Sequence, residues 1–401
     1  MSDSASNGVC TGGRNIRKVY ADNAATTPVS AAVIDAMIPV FSDGWGNPSS
    51  LYEKGQQASS LLSGAREKIA SLLGAKTNEI YFTASGSEAD NWAIKGAAKA
   101  AAAAGKGKHI ISTKIEHHAV LHTLEALEKE GFEVTLLDVD SDGLLTAADV
   151  EKAIRPDTVL VAAMFANNEI GSILPIKEIA DVAHAHKVLM FTDAVQAVGN
   201  IPVNVAELGV DMLSLSGHKI HAPKGIGVLY VRNGVRITNL VDGGGQERGK
   251  RGGTENVAYA VGLAAALENA IATLPDMERV KKLRDRLAAE LTKIPEVTIN
   301  GGMEKRLPGN LNIAVAGIEG ESLVLLLDFV GISASTGSAC SSHSLEPSHV
   351  LLATGRPVER AHGSLRLTIS HENTEEDVDY IIEKLPEVIG KLRAMSPIWN
   401  N

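Results

Sequence analysis

Cysteine is nearly missing from this sequence: 401 residues hold two, Cys10 and Cys340. Two thiols cannot build a disulfide framework, and no secretory signal is evident, so a soluble protein of a reducing, cytoplasmic compartment is expected. Long apolar runs are missing too. The best, 257–267, stops at Glu268, short of the roughly 18 residues a membrane span requires. A basic excess is also missing: 38 Lys+Arg face 48 Asp+Glu, a net charge of −10. That balance disfavours nucleic acid or an anionic membrane as the main partner, because phosphate binding relies on clustered cations. What remains, 44% apolar and 21% charged residues, suits a globular chain of two or three domains with a large core.

Residues 1–18 are Ser/Gly/Asn-rich and read as a mobile tail. Arg14, Arg17 and Lys18 would suit a transit peptide, but the segment has no amphipathic stripe. From residue 58, Ala58, Leu61, Leu62, Ala65, Ile69, Leu72 and Leu73 form one helical stripe ending at Gly74. Seven apolar runs follow, at 79–83, 109–113, 133–137, 158–165, 188–193, 211–216 and 225–232, with helical segments such as 119–130 and 175–186 between them. This alternation predicts an α/β fold with a mostly parallel sheet covered by helices. The last two runs sit too close for a helical crossover and should pair antiparallel. Beyond 257 the rhythm changes: helices at 257–273 and 276–293, strands near 310–316 and 364–370, and a Thr374-capped helix reaching about 394. The division expected is a tail (1–18), a segment joining the small domain (19–28), a large domain (29–274) and a small α+β domain (275–401).

Asp138, Asp140, Asp142 and Asp149 nearly spell a calcium loop, but a strand precedes them and the closing Glu is absent, so a polar turn is expected. The twelve His are not joined to Cys or carboxylates at zinc spacing, so no metal is expected. The turn Thr83-Ala84-Ser85-Gly86-Ser87-Glu88 follows a strand and opens a helix. It could cradle a phosphate or serve as a plain helix cap. Asp193 ends an extended run, where open parallel sheets bind ligands. Lys219 lies in a short turn, where a lysine is usually solvated, but one held in a cleft can form a Schiff base with a cofactor whose ring nitrogen an Asp supports. Phosphate cradle, Asp and Lys in that order point to pyridoxal phosphate. Cys340 lies among Ser, Gly and Ala. A lone thiol is commonly just a small buried side chain, but this setting offers little apolar burial and much mobility. Arg366 alternates with apolar residues on a strand and needs an acidic partner, from the protein or from a substrate.

Together these residues resemble the cysteine desulfurases of the NifS/IscS type, fold-type I pyridoxal phosphate enzymes of the class V aminotransferase group. The resemblance runs from Val19 to Trp399. It is carried by Asp22-Asn-Ala-Ala-Thr-Thr-Pro28, Gly46-Asn-Pro-Ser-Ser50, Glu116-His117, Asn167-Asn168-Glu169-Ile-Gly171 and Thr192-Asp193-Ala-Val-Gln196. Ser216-Gly-His218-Lys219, Pro223-Lys-Gly-Ile-Gly227, Gly253-Thr254, Ser338-Ala-Cys340 and Ser364-Leu-Arg366 continue it.

The resemblance implies a large domain built on a seven-stranded, mostly parallel sheet. It makes Lys219 the Schiff-base lysine, Asp193 the partner of the pyridinium nitrogen, His117 the histidine stacked on the ring and relaying protons, and Gln196 the donor to the ring oxygen. Gly86, Ser87, Ser216 and His218 match phosphate contacts, and Thr254 matches one given by a neighbouring subunit, which implies a homodimer with shared sites. Asn168, beside the cofactor, and Arg366 match residues holding the substrate carboxylate. Cys340 matches the thiol that takes sulfur from L-cysteine as a persulfide, releasing alanine. Its loop, 26 residues before Arg366, is similar to that of the long-loop group, which passes sulfur to acceptor proteins such as iron–sulfur scaffolds or sulfur carriers. A selenocysteine lyase or a class V aminotransferase on the same fold is the alternative. Gly86-Ser87 replaces the usual Ala-Thr, Gly252 replaces Ser or Ala, and the chain stops at Asn401 without the longer tail of scaffold-docking relatives.

Overall fold

The computed structural model describes residues 16–337, 347–397 and 399. Its strands in chain order are β1 (Val19–Tyr20), β2 (Ile80–Thr83), β3 (His109–Thr113), β4 (Glu133–Leu137), β5 (Thr158–Ala162) and β6 (Leu189–Asp193). They continue with β7 (Met212–Ser216), β8 (Gly227–Val231), β9 (Val297–Ile299), β10 (Asn310–Val315), β11 (Ile332–Ser333) and β12 (Ser364–Thr368).

Seven strands form the main sheet in the order β2-β8-β7-β6-β5-β3-β4. β8 runs antiparallel to both β2 and β7, while the remaining pairs are parallel. The short turn between β7 and β8 leaves no room for the helix that a parallel return requires, hence the reversal. Apolar side chains cover both faces. Trp92, Ile94, Leu124 and Phe191 pack in one cluster, and Val33, Ile69, Ile80 and Leu213 belong to the other. The β-branched and leucine runs read from the sequence are the consequence of that two-sided burial.

A second sheet, β12-β10-β9, is antiparallel throughout, and β1 pairs with β11 in parallel. β1, β9 and β11 were not expected; two or three residues are too few to show a period. Val19 and Ala21 join an apolar cluster with Val280, Leu287, Leu311, Ile313, Leu365, Ile381 and Leu385. The last helix, Glu375–Met395, begins with a reciprocal cap in which Thr374 accepts the Asp377 N–H and the Asp377 carboxylate accepts the Thr374 N–H. The aspartate-rich segment is a polar turn: Asp140 Oδ1 accepts the N–H groups of Asp142 and Leu144, both at 2.9 Å. Among the described residues no single helix is long and apolar enough to cross a membrane.

Candidate active site

The carboxyl ends of β6 and β7 and the start of the helix Gly86–Ala103 enclose a cavity of about 160 Å³. Among the described residues, every site residue read from the sequence lines it except Thr254. Thr254 lies in a separate cavity of about 230 Å³ with Thr83, Glu247 and Arg251. Cys340 and Cys10 lie outside the described residues.

One end of the cavity is built from backbone donors. Ser85 Oγ accepts the Glu88 N–H at 3.1 Å and so caps the helix. The first-turn N–H groups of Gly86 and Ser87 have no acceptor within the helix by its geometry, and both residues face the cavity. The turn that caps the helix therefore also turns its first residues toward the cavity. A Cβ on Gly86 would lie 2.9 Å from Val195 Cγ2 and 3.2 Å from Ser216 Cβ, so glycine lets the helix approach the ends of β6 and β7.

Lys219 closes the short 3₁₀ turn Gly217–Lys219 that follows β7. Its Nζ donates to the carbonyls of Ala24 and Ala25 at 2.6 and 2.7 Å. The same N-terminal segment is stapled to the turn at other points. The Thr27 hydroxyl donates to the His218 carbonyl at 2.9 Å, and Gln196 Nε2 donates to the Ala24 carbonyl at 3.1 Å. Burial, with the charges of Lys219 and Lys224, pushes the His218 imidazole down to about 4, so it is neutral at pH 7.

Three buried carboxyls converge beneath the cavity. Asp193 accepts the Val195 N–H at 2.9 Å, and burial pushes its pKa up to about 6 despite Lys219 nearby. Asp90 accepts from the Ser214 hydroxyl, and its pKa is raised by burial and then by the Asp193 charge. Glu116 accepts the Met164 N–H at 2.9 Å and the Thr113 hydroxyl at 2.7 Å, yet burial still drives it up to about 8. No role for Asp90 was legible in the sequence, since its neighbours come from distant strands. Glu116 stood beside His117 in a quoted motif, but only the fold reveals that it is buried.

His117 caps the helix His118–Lys129, with Nδ1 accepting the Ala119 N–H at 3.1 Å. The neutral ring must then carry its proton on Nε2. Burial and Lys219 push its pKa down to about 4. In this state His117 is a donor at Nε2, and it gains basicity there only if the Ala119 bond is released.

At the opposite end Arg366 is buried to 1% exposure. Its Nη2 donates to Asp22 Oδ1 at 2.9 Å and its Nη1 to the Asn168 carbonyl at 3.0 Å. Nε has no partner among the described residues. Asp22, which sequence reading missed as the acidic partner, also accepts the Ser335 hydroxyl at 2.7 Å. The strand pairing of Ser335 with Arg366 fixes the chain just before Cys340, and Ser348 fixes it just after by donating to the Glu169 carboxylate.

The aminotransferase class-V family model matches residues 19–381. A cysteine desulfurase IscS of Methanosarcina thermophila is 54% identical over 383 residues, 95% of this chain and 94% of its own. The cysteine desulfurase IscS of Clostridium botulinum is 52% identical over 389 residues, 96% of this chain and 98% of its own. Among solved structures, a NifS-like protein superposes with a TM-score of 0.88 at 38% identity, covering 94% of this chain and all of its own.

Proposed function

The chain belongs to the class V aminotransferase family and, within it, to the cysteine desulfurases, which depend on pyridoxal phosphate; from that premise we propose how its cavity takes sulfur from L-cysteine. The observation that carries the reading is one cavity shared by Lys219, Asp193, the Gly86–Ser87 helix start and Arg366.

These residues fit pyridoxal phosphate. The amides of Gly86 and Ser87, with Ser216 and His218, would hold the phosphate at a helix N-terminus. Asp193 would hold the ring nitrogen, Gln196 the ring oxygen and His117 the ring face, with Lys219 as the covalent anchor. A cationic ring nitrogen beside Asp193 would offset the burial that raises that carboxyl and keep it ionised. When bound, the cofactor supplies an electron sink that weakens the substrate C–S bond.

Arg366 and Asn168 orient the substrate carboxylate, which shares the guanidinium with Asp22. Lys219 Nζ takes the proton from the substrate Cα, its amine held in place by the Ala24 and Ala25 carbonyls. The Cys340 thiolate then attacks the substrate sulfur. An S–S bond forms and the substrate C–S bond breaks; its electron pair stays on the carbon skeleton, which takes up one proton at Cβ and regains at Cα the proton that Lys219 removed, giving alanine. His117, protonated on Nε2, is placed to donate. The Cys340 persulfide is passed to an acceptor protein of iron–sulfur assembly or sulfur trafficking.

A homodimer in the cytoplasm completes the proposal. Ile38, Phe41, Trp45, Leu51 and Tyr52 are 55–90% exposed on one stretch of chain, a patch a monomer rarely leaves open. Thr254, outside its own cavity, would serve the partner's phosphate. The proposed division into a large domain (29–274) and a small one (275–401), joined by 19–28, is supported by Val19 and Ala21 packing with the C-terminal cluster.

Holoenzyme supplied with L-cysteine and a thiol reductant should release alanine and sulfide in equal amounts. Alanine formed from a 2-oxo acid and an amino donor at a comparable rate would favour the aminotransferase reading instead.

A further inference from the structure

A second cavity, of about 290 Å³, adjoins the active-site cavity and shares Ala24, Gln196 and Lys219 with it. Three side chains without a role in the chemistry above meet on its lining. His221, two residues beyond Lys219, comes from the turn after β7, whereas His371 and Glu372 come from the loop after β12. One ligand-capable atom from each lies within 4.8 Å of the other two, and the two imidazole centroids are 5.4 Å apart at 67°.

The details suit ligation. His221 adopts φ 64°, a left-handed backbone that histidine tolerates better than most residues, and its N–H donates to Thr27 Oγ1 at 2.8 Å. Its Nδ1 lies 3.1 Å from the Pro28 carbonyl. A carbonyl can only accept, so Nδ1 carries the proton and Nε2 is left as a bare lone pair. A metal-bound histidine is usually oriented by just such a bond from its other nitrogen. The opposing loop is also braced. Arg279 donates to the carbonyls of His371 and Asn373 at 2.6 and 2.9 Å, and Asn373 Oδ1 accepts the Ser370 N–H at 2.9 Å. Among the described residues no hydrogen bond engages the His371 ring or the Glu372 carboxylate.

We propose that His221, His371 and Glu372 bind one divalent ion of the zinc class, tying the turn that carries Lys219 to the loop following the strand that carries Arg366. Two imidazoles and one carboxylate with an open fourth position match zinc, whose ligands sit about 2.0–2.2 Å from the ion. Glu372, the exposed member, has the freedom to swing inward.

The test is calorimetric titration of zinc chloride into dialysed holoenzyme carrying Cys10→Ser and Cys340→Ser, which removes both thiols as competing ligands. Cofactor absorption and circular dichroism confirm that each variant is folded. The expected result is one zinc per chain with a raised Tm. His221→Asn, His371→Asn and Glu372→Gln should each weaken binding at least tenfold and abolish the Tm rise, with Asn chosen at 221 because it tolerates the left-handed backbone. No stoichiometric binding, or binding that all three substitutions leave unchanged, overturns the site.

Discussion

Arg366 Nη2 donates to Asp22 Oδ1 at 2.9 Å although 344 residues separate the two. The pair joins the strand that carries Arg366 to the N-terminal segment whose carbonyls accept from Lys219. Removing one member leaves a buried charge uncompensated, at a cost on the order of 3 kcal/mol. Asp22→Asn should lower stability in urea denaturation by about that much and raise the KM for cysteine. Arg366→Gln should lose more than tenfold in kcat/KM. In a double-mutant cycle the two should couple by more than about 1 kcal/mol; a coupling near zero would remove Asp22 from the site.

Stability should fall as pH rises across the window set by Glu116. In the fold it keeps its proton up to about 8, against an ordinary value of 4.5. The folded chain therefore binds more protons than the unfolded chain between those values. The resulting contribution is fully present below about 4.5 and lost as pH climbs through about 8, with a slope of at most about 1.4 kcal/mol per pH unit. Glu116→Gln mimics the protonated carboxyl and should flatten this part of the stability profile. A profile that Glu116→Gln leaves unchanged would place the ionisation elsewhere.

Gly86→Ala tests the phosphate end. The added Cβ would press on Val195 at 2.9 Å, and such overpacking costs about 1–3 kcal/mol. Cofactor retention through dialysis, followed by its visible absorption, should weaken roughly tenfold or more while the apoprotein remains folded. Undiminished retention would mean that the helix start does not hold the phosphate.

His117→Ala removes the Nε2 donor and should lower kcat by about 10²–10⁴-fold while leaving Arg366 and Asn168 to bind the substrate carboxylate. Steady-state kinetics with L-cysteine separate the two parameters. An equal loss in substrate binding alone would reduce His117 to a wall of the cavity.

The main sheet was legible because its strands are buried on both faces and stand out as continuous apolar runs, such as 158–165 around β5. A lysine in a short turn is ordinarily solvated, and it was the chain order of small-residue turn, strand-end Asp193 and turn Lys219 that singled out residues the fold brings to one cavity. The contacts of Asp22, Asp90 and Glu116 were not legible because they lie in what the fold brings to them: Arg366 across 344 residues, Ser214 across 124 and Met164 across 48. The grouping of His221 with His371 was hidden for the same reason, since no spacing motif joins a β7 turn to the loop after β12. Ser85 had two competing readings, cap or cradle, and only the geometry of the first turn shows that one turn performs the capping and leaves Gly86 and Ser87 to the cavity.

The central claim is that Cys340 receives the sulfur, and mass spectrometry of holoenzyme quenched during turnover with L-cysteine tests it most directly. One added sulfur on the peptide containing Cys340, and loss of sulfur mobilisation in Cys340→Ala, is the predicted result. A persulfide on Cys10 instead, or a Cys340→Ala variant that mobilises sulfur at the parent rate, would contradict it.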